Sequence, residues 1–224
     1  MLKQKASKFL ESYQRRGLVK PDHDQSAFFL ALCHVQLGNY TEAQRLFEQS
    51  IQAMFIPPLL WHRSSQPNWL VDVCVLSGRT NHYRDAARKL DEYRSDRRGD
   101  SLVALYAYSM MEFLLPAGKD FSSWIEGLLK KPKIKDMYAM GLSIQAIVDG
   151  NDSKLQYALL ALLEAHRGQA IHGGLRETAE GLLCMPAMSL SYAALERKMK
   201  VQIENDYLSL GYLKYLRTEL PLKH

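Results

Sequence analysis

Apolar residues along the chain recur at intervals of three and four positions, the spacing of amphipathic α-helices. Over residues 25–51, Gly38 and Asn39 separate two such segments and predict a helical hairpin. A second hairpin, turned at Gly78, follows a proline-rich break over 57–67. The positions that define the two hairpins are Ala27, Leu30, Ala31, His34, Leu37, Ala43, Phe47 and Ile51, then Trp69, Leu70, Val73, Cys74, Leu76, Tyr83, Ala86, Ala87, Leu90 and Tyr93.

Beyond residue 100 the pattern predicts further helices but no regular repeat. A third hairpin turns at Gly150, and we expect Asp152 or Ser153 to cap its second helix. That second helix has little polar sequence and is predicted to be the central helix of the fold. The predicted helices span 101–115, 121–131, 135–149, 152–166, 175–200 with a kink or break at Pro186, and 207–217; a loop is predicted over 168–174 and an extended piece over 201–203.

The fold class predicted from these elements is all-α, because no alternating run of strand length stands out. We expect packed antiparallel hairpins that form one compact, superhelical domain over 1–224. Within it, 1–56 is the repeat-like N-terminal region and 68–217 is the helical body.

The first hairpin resembles a tetratricopeptide repeat. It has the Gly-x-Tyr turn at Gly38 and Tyr40 and the Ala-x-x-x-Phe pattern at Ala43 and Phe47. Two positions depart from the repeat. Ala27 stands where the repeat has tryptophan, and Phe55 stands where it has its closing proline. The 34-residue period is also lost after the second hairpin.

Composition is that of an ordinary globular protein, with 47% hydrophobic and 24% charged residues among 224. The N-terminus lacks the continuous apolar stretch of a secretory signal, and no apolar run approaches the roughly 20 residues of a membrane span. Three scattered cysteines, Cys33, Cys74 and Cys184, suit reduced core thiols. We therefore expect a cytoplasmic protein without a membrane partner.

The net charge of +5 raises the question of nucleic-acid binding. Basic and acidic residues alternate over 79–100, however, which is typical of a solvated helix face. Only in the run from Lys130 to Lys135 are all the charged residues basic, and Pro132 places that run in a loop. A solvated loop is favoured there over a phosphate-binding site, so nucleic acid is not a favoured partner.

No catalytic, cofactor or metal motif is found in the sequence. The run 149–153 resembles a calcium loop only superficially, since its glycine comes second and no closing glutamate follows. Glu164 and His166 lie about 200° apart around a helix, so together with His172 they are not expected to converge on one metal. We expect neither enzymatic activity nor a cofactor.

Partner binding is then expected to depend on exposed aromatic side chains, which often anchor protein interfaces. Several of the candidates must belong to the core, and the sequence does not separate the two groups. The methionines are likewise expected to be mostly core. The candidate partner-binding residues are Trp61, Trp69, Tyr83, Tyr207, Tyr212 and Tyr215.

From Trp69 to about Leu213 the order of features resembles the immunity 49 family, helical antidotes encoded beside bacterial polymorphic toxins. The pattern departs at Ser209, where proline is expected after the preceding Tyr-Leu pair. The resemblance rests on 69–74 with the charged helix 83–93, the turn 150–152, the stretch 159–167, and the run 182–192 followed by 206–208.

This resemblance implies a cytoplasmic immunity protein that binds a cognate toxin or effector domain and blocks its active site or substrate entry. The alternative is a tetratricopeptide-like adaptor or chaperone that holds a peptide or protein segment in a groove lined by first helices. A helical enzyme or a nucleic-acid-binding protein is a third, less favoured interpretation. Self-association is left open.

Overall fold

The computed structural model describes residues 1–15, 24–55, 67–79, 81–93, 101–115 and 122–219. These ranges contain eleven α-helices, one 3-10 helix and a single isolated β-bridge, which confirms the all-α prediction. The elements are α1 (Leu2–Arg15), α2 (Asp24–Leu37), α3 (Tyr40–Phe55), α4 (Pro67–Ser77), α5 (Asn81–Tyr93), α6 (Leu102–Leu114), α7 (Ser122–Leu129), α8 (Lys135–Val148), α9 (Asp152–His172), the 3-10 helix (Ala179–Leu182), α10 (Met185–Glu196) and α11 (Leu210–Glu219).

Both N-terminal hairpins form as predicted, α2 with α3 and α4 with α5. The first turn needs Gly38, whose φ of +83° lies in the left-handed region that other residues adopt only with strain. Fully buried alanines, Ala31 and Ala43, leave room for the two helix backbones to approach. The sequence pattern did not single out α1, which packs on α2 and on the 3-10 helix.

Helices α4 and α10 form the centre of the core. Every residue from Trp69 to Ser77 is buried, and so is every residue from Ala187 to Ala194. α10 packs on α4, α6, α8, α9 and α11. The prediction that α9 is central is wrong, because α9 buries one apolar face and leaves Tyr157 71% and Leu160 51% exposed.

The third hairpin, α8 with α9, also forms as predicted, but its cap differs. Gly150 adopts a φ of +63° in the turn. Asn151, rather than Asp152 or Ser153, is the N-cap of α9, because Asn151 Oδ1 accepts a hydrogen bond from Lys154 N at 2.9 Å.

Two predicted boundaries after the third hairpin are wrong. The expected loop over 168–174 is mostly helix, since α9 continues to His172. The expected helical segment over 175–200 is instead the 3-10 helix, an extended connection at Leu183 and Cys184, and α10. Pro186 lies in the first turn of α10, where the backbone N–H of a residue has no intrahelical acceptor. Its lack of an N–H therefore costs no hydrogen bond, and Pro186 starts a helix rather than kinking one.

The C-terminal part of the chain packs back on the N-terminal hairpins. The hydroxyl of Tyr212 on α11 donates to the carbonyl oxygen of Leu76 at 2.6 Å. The side chain of Gln36 on α2 donates to the carbonyls of Leu182 at 2.6 Å and Asp206 at 2.8 Å. These bonds tie the hairpin region to the helical body within the described residues.

Candidate functional site

A cavity of about 1060 Å³ lies between the start of α8, the middle of α9 and the connection that carries the 3-10 helix into α10. We call it the α8–α9 groove. Its size is at the upper end of the range for ligand-binding clefts. Its apolar lining includes Met137, Met140, Leu162, Ala165, Leu183 and Met185. Its ionisable or charged lining includes Lys133, Lys135, Asp136, Glu164, His166 and Glu180.

His166 contributes a neutral imidazole to this lining. Its ring packs edge-on against Tyr207, with 5.1 Å between ring centroids. Burial, reinforced by the charge of Lys5, lowers the pKa of His166 to about 4, so the ring is uncharged at neutral pH. Its Nε2 is buried and has no hydrogen-bond partner among the described residues.

Two further polar groups in the groove lack a protein partner in the described part of the chain. The side-chain oxygen of Asn68, at the start of α4, is buried without a hydrogen bond. Burial raises the pKa of Glu180 above its ordinary value, and no cation is paired with this carboxyl. Glu164, by contrast, is 74% exposed and pairs with Arg167 at 3.5 Å.

The basic run predicted to be a solvated loop forms one rim of the groove. From Lys131 to Asp136 every residue is exposed. Lys130 pairs with Glu126 at 3.7 Å, whereas no described carboxylate lies within 4 Å of Lys131, Lys133 or Lys135. Three unpaired lysines therefore lie in the turn before α8 and at its first residue, and two of them, Lys133 and Lys135, line the groove.

An exposed apolar strip on α9 leads into the groove. Tyr157, Leu160 and Ala161 share the outer face of the helix at intervals of three and four residues. Ala161 also lines the groove, so the strip and the cavity are continuous. We call these three residues the α9 ridge.

Four of the six aromatic residues predicted to bind a partner are core residues, which removes the exposure on which that prediction depended. Trp69 packs edge-on against Phe28, with 4.4 Å between ring centroids. The four core residues are Trp69, Tyr83, Tyr207 and Tyr212, and none of them is more than 7% exposed.

The other two predicted residues differ from these. Tyr215 on α11 is half-buried, with its hydroxyl 3.4 Å from Thr41 Oγ1, and lies outside the groove and the ridge. Trp61 lies outside the described residues. Sequence reasoning missed Tyr157 and Leu160, which it assigned to a buried helix.

A buried carboxyl, Asp72, lies in the core rather than at the groove. The Tyr106 hydroxyl donates to Asp72 Oδ1 at 2.7 Å, and Ser189 lies close by. Complete burial raises the pKa of Asp72 to about 7, and the hydrogen bond from Tyr106 together with the nearby Ser189 hydroxyl opposes that rise. We assign this group to the stability of the core.

Comparison with known proteins adds no relative. No family model, curated protein or solved structure matches the chain. The resemblance to the immunity 49 family therefore stays a prediction based on the stretches quoted above. Among the described residues, no three His, Cys, Asp or Glu side chains are grouped to hold a metal, and no helix has the length and apolarity to cross a bilayer.

Proposed function

We propose that this protein binds a partner protein through the α9 ridge and the adjoining α8–α9 groove, and that the partner is a bacterial toxin domain, which binding neutralises. The observation that carries the proposal is the exposure of Tyr157 and Leu160, 71% and 51%, next to a cavity of about 1060 Å³. Isolated apolar residues are common on surfaces, but an apolar strip continuous with an apolar cleft is typical of a binding site.

The chemistry of the ridge suits a protein interface. Tyrosine offers a large apolar face and a polar tip at a small entropic cost, which is why it is enriched among residues that dominate binding energy. The adjoining methionines Met137, Met140 and Met185 have flexible, polarisable side chains that can repack around an inserted group. A partner side chain could thus be buried beside the ridge.

The toxin part of the proposal comes from the resemblance to the immunity 49 family. An antidote has to outcompete the substrate of its toxin, which requires a tight complex with a desolvated centre and a charged rim that speeds association. The ridge and the groove could form that desolvated centre, and the adjoining lysines could form that charged rim.

The adaptor alternative receives less support from the geometry. It expects a peptide groove lined by the first helices of the hairpins, but α4, the first helix of the second hairpin, is buried from Trp69 to Ser77. The observed groove is formed by α8, α9 and the connection to α10 instead.

The proposal is tested with the gene immediately upstream, if it encodes a modular secreted protein. Its C-terminal domain is co-purified with this chain, and the Kd of the complex is measured for the Tyr157→Ala/Leu160→Ala double variant. We expect binding to weaken at least about 30-fold, corresponding to about 2 kcal/mol for loss of central interface residues.

Tyr215→Ala is the matched control, because it removes a predicted aromatic from a different surface and should leave the Kd within about twofold, as for a residue outside the contact. Circular dichroism would establish that each variant keeps its helices. Loss of binding in Tyr215→Ala, with the double variant unaffected, would place the interface elsewhere and overturn the assignment to the ridge.

A further inference from the structure

The α8 wall of the groove carries two lysines and one aspartate, and so has a net positive charge. Lys133 and Lys135 line the groove, are exposed and have no ion-pair partner there. The one acidic side chain beside them, Asp136, accepts a hydrogen bond from Met137 N at 2.9 Å. Ile134 provides no side-chain cap for α8, and the Asp136 carboxylate occupies one first-turn amide, so the net positive charge of this wall comes from the two lysines.

The wall formed by the 3-10 helix has the opposite character. Glu180 lies there, half-buried and without a paired cation. Its carboxyl is set in less polar surroundings, which is why its pKa is raised. A carboxylate brought to this wall would be repelled, whereas the same carboxylate would be attracted to Lys133 and Lys135.

The floor between the two walls is apolar and adaptable. Met140 and Met185 are nearly buried in it, Met137 is half-buried, and Ile134 at the rim is 44% exposed. Such a floor gains most from covering by an aliphatic or aromatic side chain, at about 25 cal/mol per Å² of apolar surface removed from water.

We propose that the groove holds a segment of the partner protein in which carboxylates flank apolar side chains, the apolar groups on the methionine floor and the carboxylates against Lys133 and Lys135. This inference rests on the proposed function, since it names the chemistry of the partner at the same surface.

A pair of capped pentapeptides tests this chemistry without the partner. Both alternate leucine with a charged residue, glutamate in one and lysine in the other. Binding is followed by the ε-methyl NMR signals of Met137, Met140 and Met185 in ¹³C-methionine-labelled protein, with the core residue Met110 as internal reference. We expect the glutamate peptide to shift the three groove signals with a Kd roughly fivefold lower than the lysine peptide, as two exposed ion pairs allow.

The Lys133→Glu/Lys135→Glu variant should reverse this preference, so that the lysine peptide binds more tightly. Lys8→Glu/Lys214→Glu makes the same charge change on exposed residues that do not line the groove, and it should leave the preference intact. Equal shifts with both peptides, no shift with either, or a preference unchanged in Lys133→Glu/Lys135→Glu would each overturn the inference.

The complex with the toxin domain separates this inference from the proposed function. In stopped-flow mixing, Lys133→Glu/Lys135→Glu should slow association several-fold more at low salt than Lys8→Glu/Lys214→Glu does, because rim charges act mainly on the association rate. If the domain binds but both variants associate alike, the inference fails and the proposed function stands. If the domain does not bind at all, the proposed function fails, and the peptide measurement still decides the chemistry of the groove.

Discussion

At the scale of single residues, Asp72 links the stability of the fold to pH. Its carboxyl is completely buried, its pKa is raised to about 7, and only its Oδ1 has a hydrogen bond in the described structure, from Tyr106 at 2.7 Å. The unfolded chain releases this proton near pH 3.8, so the native state holds a proton that the unfolded state lacks between about pH 4 and 7. Asp72 therefore stabilises the fold fully only below pH 4, and its contribution is lost as the pH rises to about 7.

This linkage predicts that Asp72→Asn removes a decline in stability at rising pH. The amide keeps the oxygen that accepts from Tyr106 and cannot ionise. Urea unfolding at a series of pH values should show the wild type losing up to about 1.4 kcal/mol per pH unit relative to the variant. Parallel stability curves for the two proteins between pH 4 and 8 would show that Asp72 does not hold a proton in the native state.

His166 acts in the opposite direction over part of the same range. Its native pKa of about 4 is below the ordinary 6.5, so its contribution is complete above pH 6.5 and is lost as the pH falls to about 4. The contributions of Asp72 and His166 should largely cancel between pH 4 and 6.5.

We therefore expect the stability of Asp72→Asn to fall more steeply than that of the wild type as the pH drops from 6.5 to 4. Adding His166→Gln to Asp72→Asn should make this slope shallower. The free energy of unfolding of the double variant is the decisive value, and a slope equal to that of Asp72→Asn alone would exclude His166 as its source.

At the scale of elements, the turn between α8 and α9 shows how a short polar segment sets a helix boundary. Asn151, Asp152 and Ser153 are all good capping residues, so the sequence does not distinguish them. Gly150 in the left-handed region ends α8, and the next residue then has the extended backbone that an N-cap requires. The cap therefore follows from the position of the glycine.

This assignment predicts that Asn151→Ala destabilises the protein by about 1 kcal/mol, since the Lys154 amide loses its acceptor. Ser153→Ala is the matched control and should change the free energy of unfolding by less than about 0.5 kcal/mol, as for an exposed surface residue. Thermal or chemical unfolding measures both. A larger effect at Ser153 than at Asn151 would mean that the helix begins later.

The helices also differ in how well the sequence predicts them. Hairpins with a glycine turn between two apolar stripes were predicted well, because both signals are local. The role of α9 was not, because apolar content does not tell which face is covered. Its residues form two stripes, one buried around Leu159 and one exposed from Tyr157 to Ala161, and only the packing of α8, α10 and the 3-10 helix on the first distinguishes them.

At the scale of the whole molecule, contacts between distant parts of the chain bury two of the tyrosines predicted to bind a partner. Tyr212 is separated by 136 residues from Leu76, whose carbonyl it caps, and Tyr207 by 41 positions from His166, on which it packs. Such contacts have no local signature, so these tyrosines could not be separated from surface ones. The candidate site was missed for the same reason, as its lining comes from five separate segments of the chain.

We propose that a partner protein binds on one side of this molecule, where the α9 ridge, the methionine floor and the unpaired lysines adjoin. The most direct test is a titration of toxin activity, using the C-terminal domain encoded upstream and increasing amounts of this protein. The account predicts that activity falls to zero at a 1:1 ratio with the wild type and persists at that ratio with Tyr157→Ala/Leu160→Ala. A toxin domain that stays active at stoichiometric excess of the wild-type protein would contradict it.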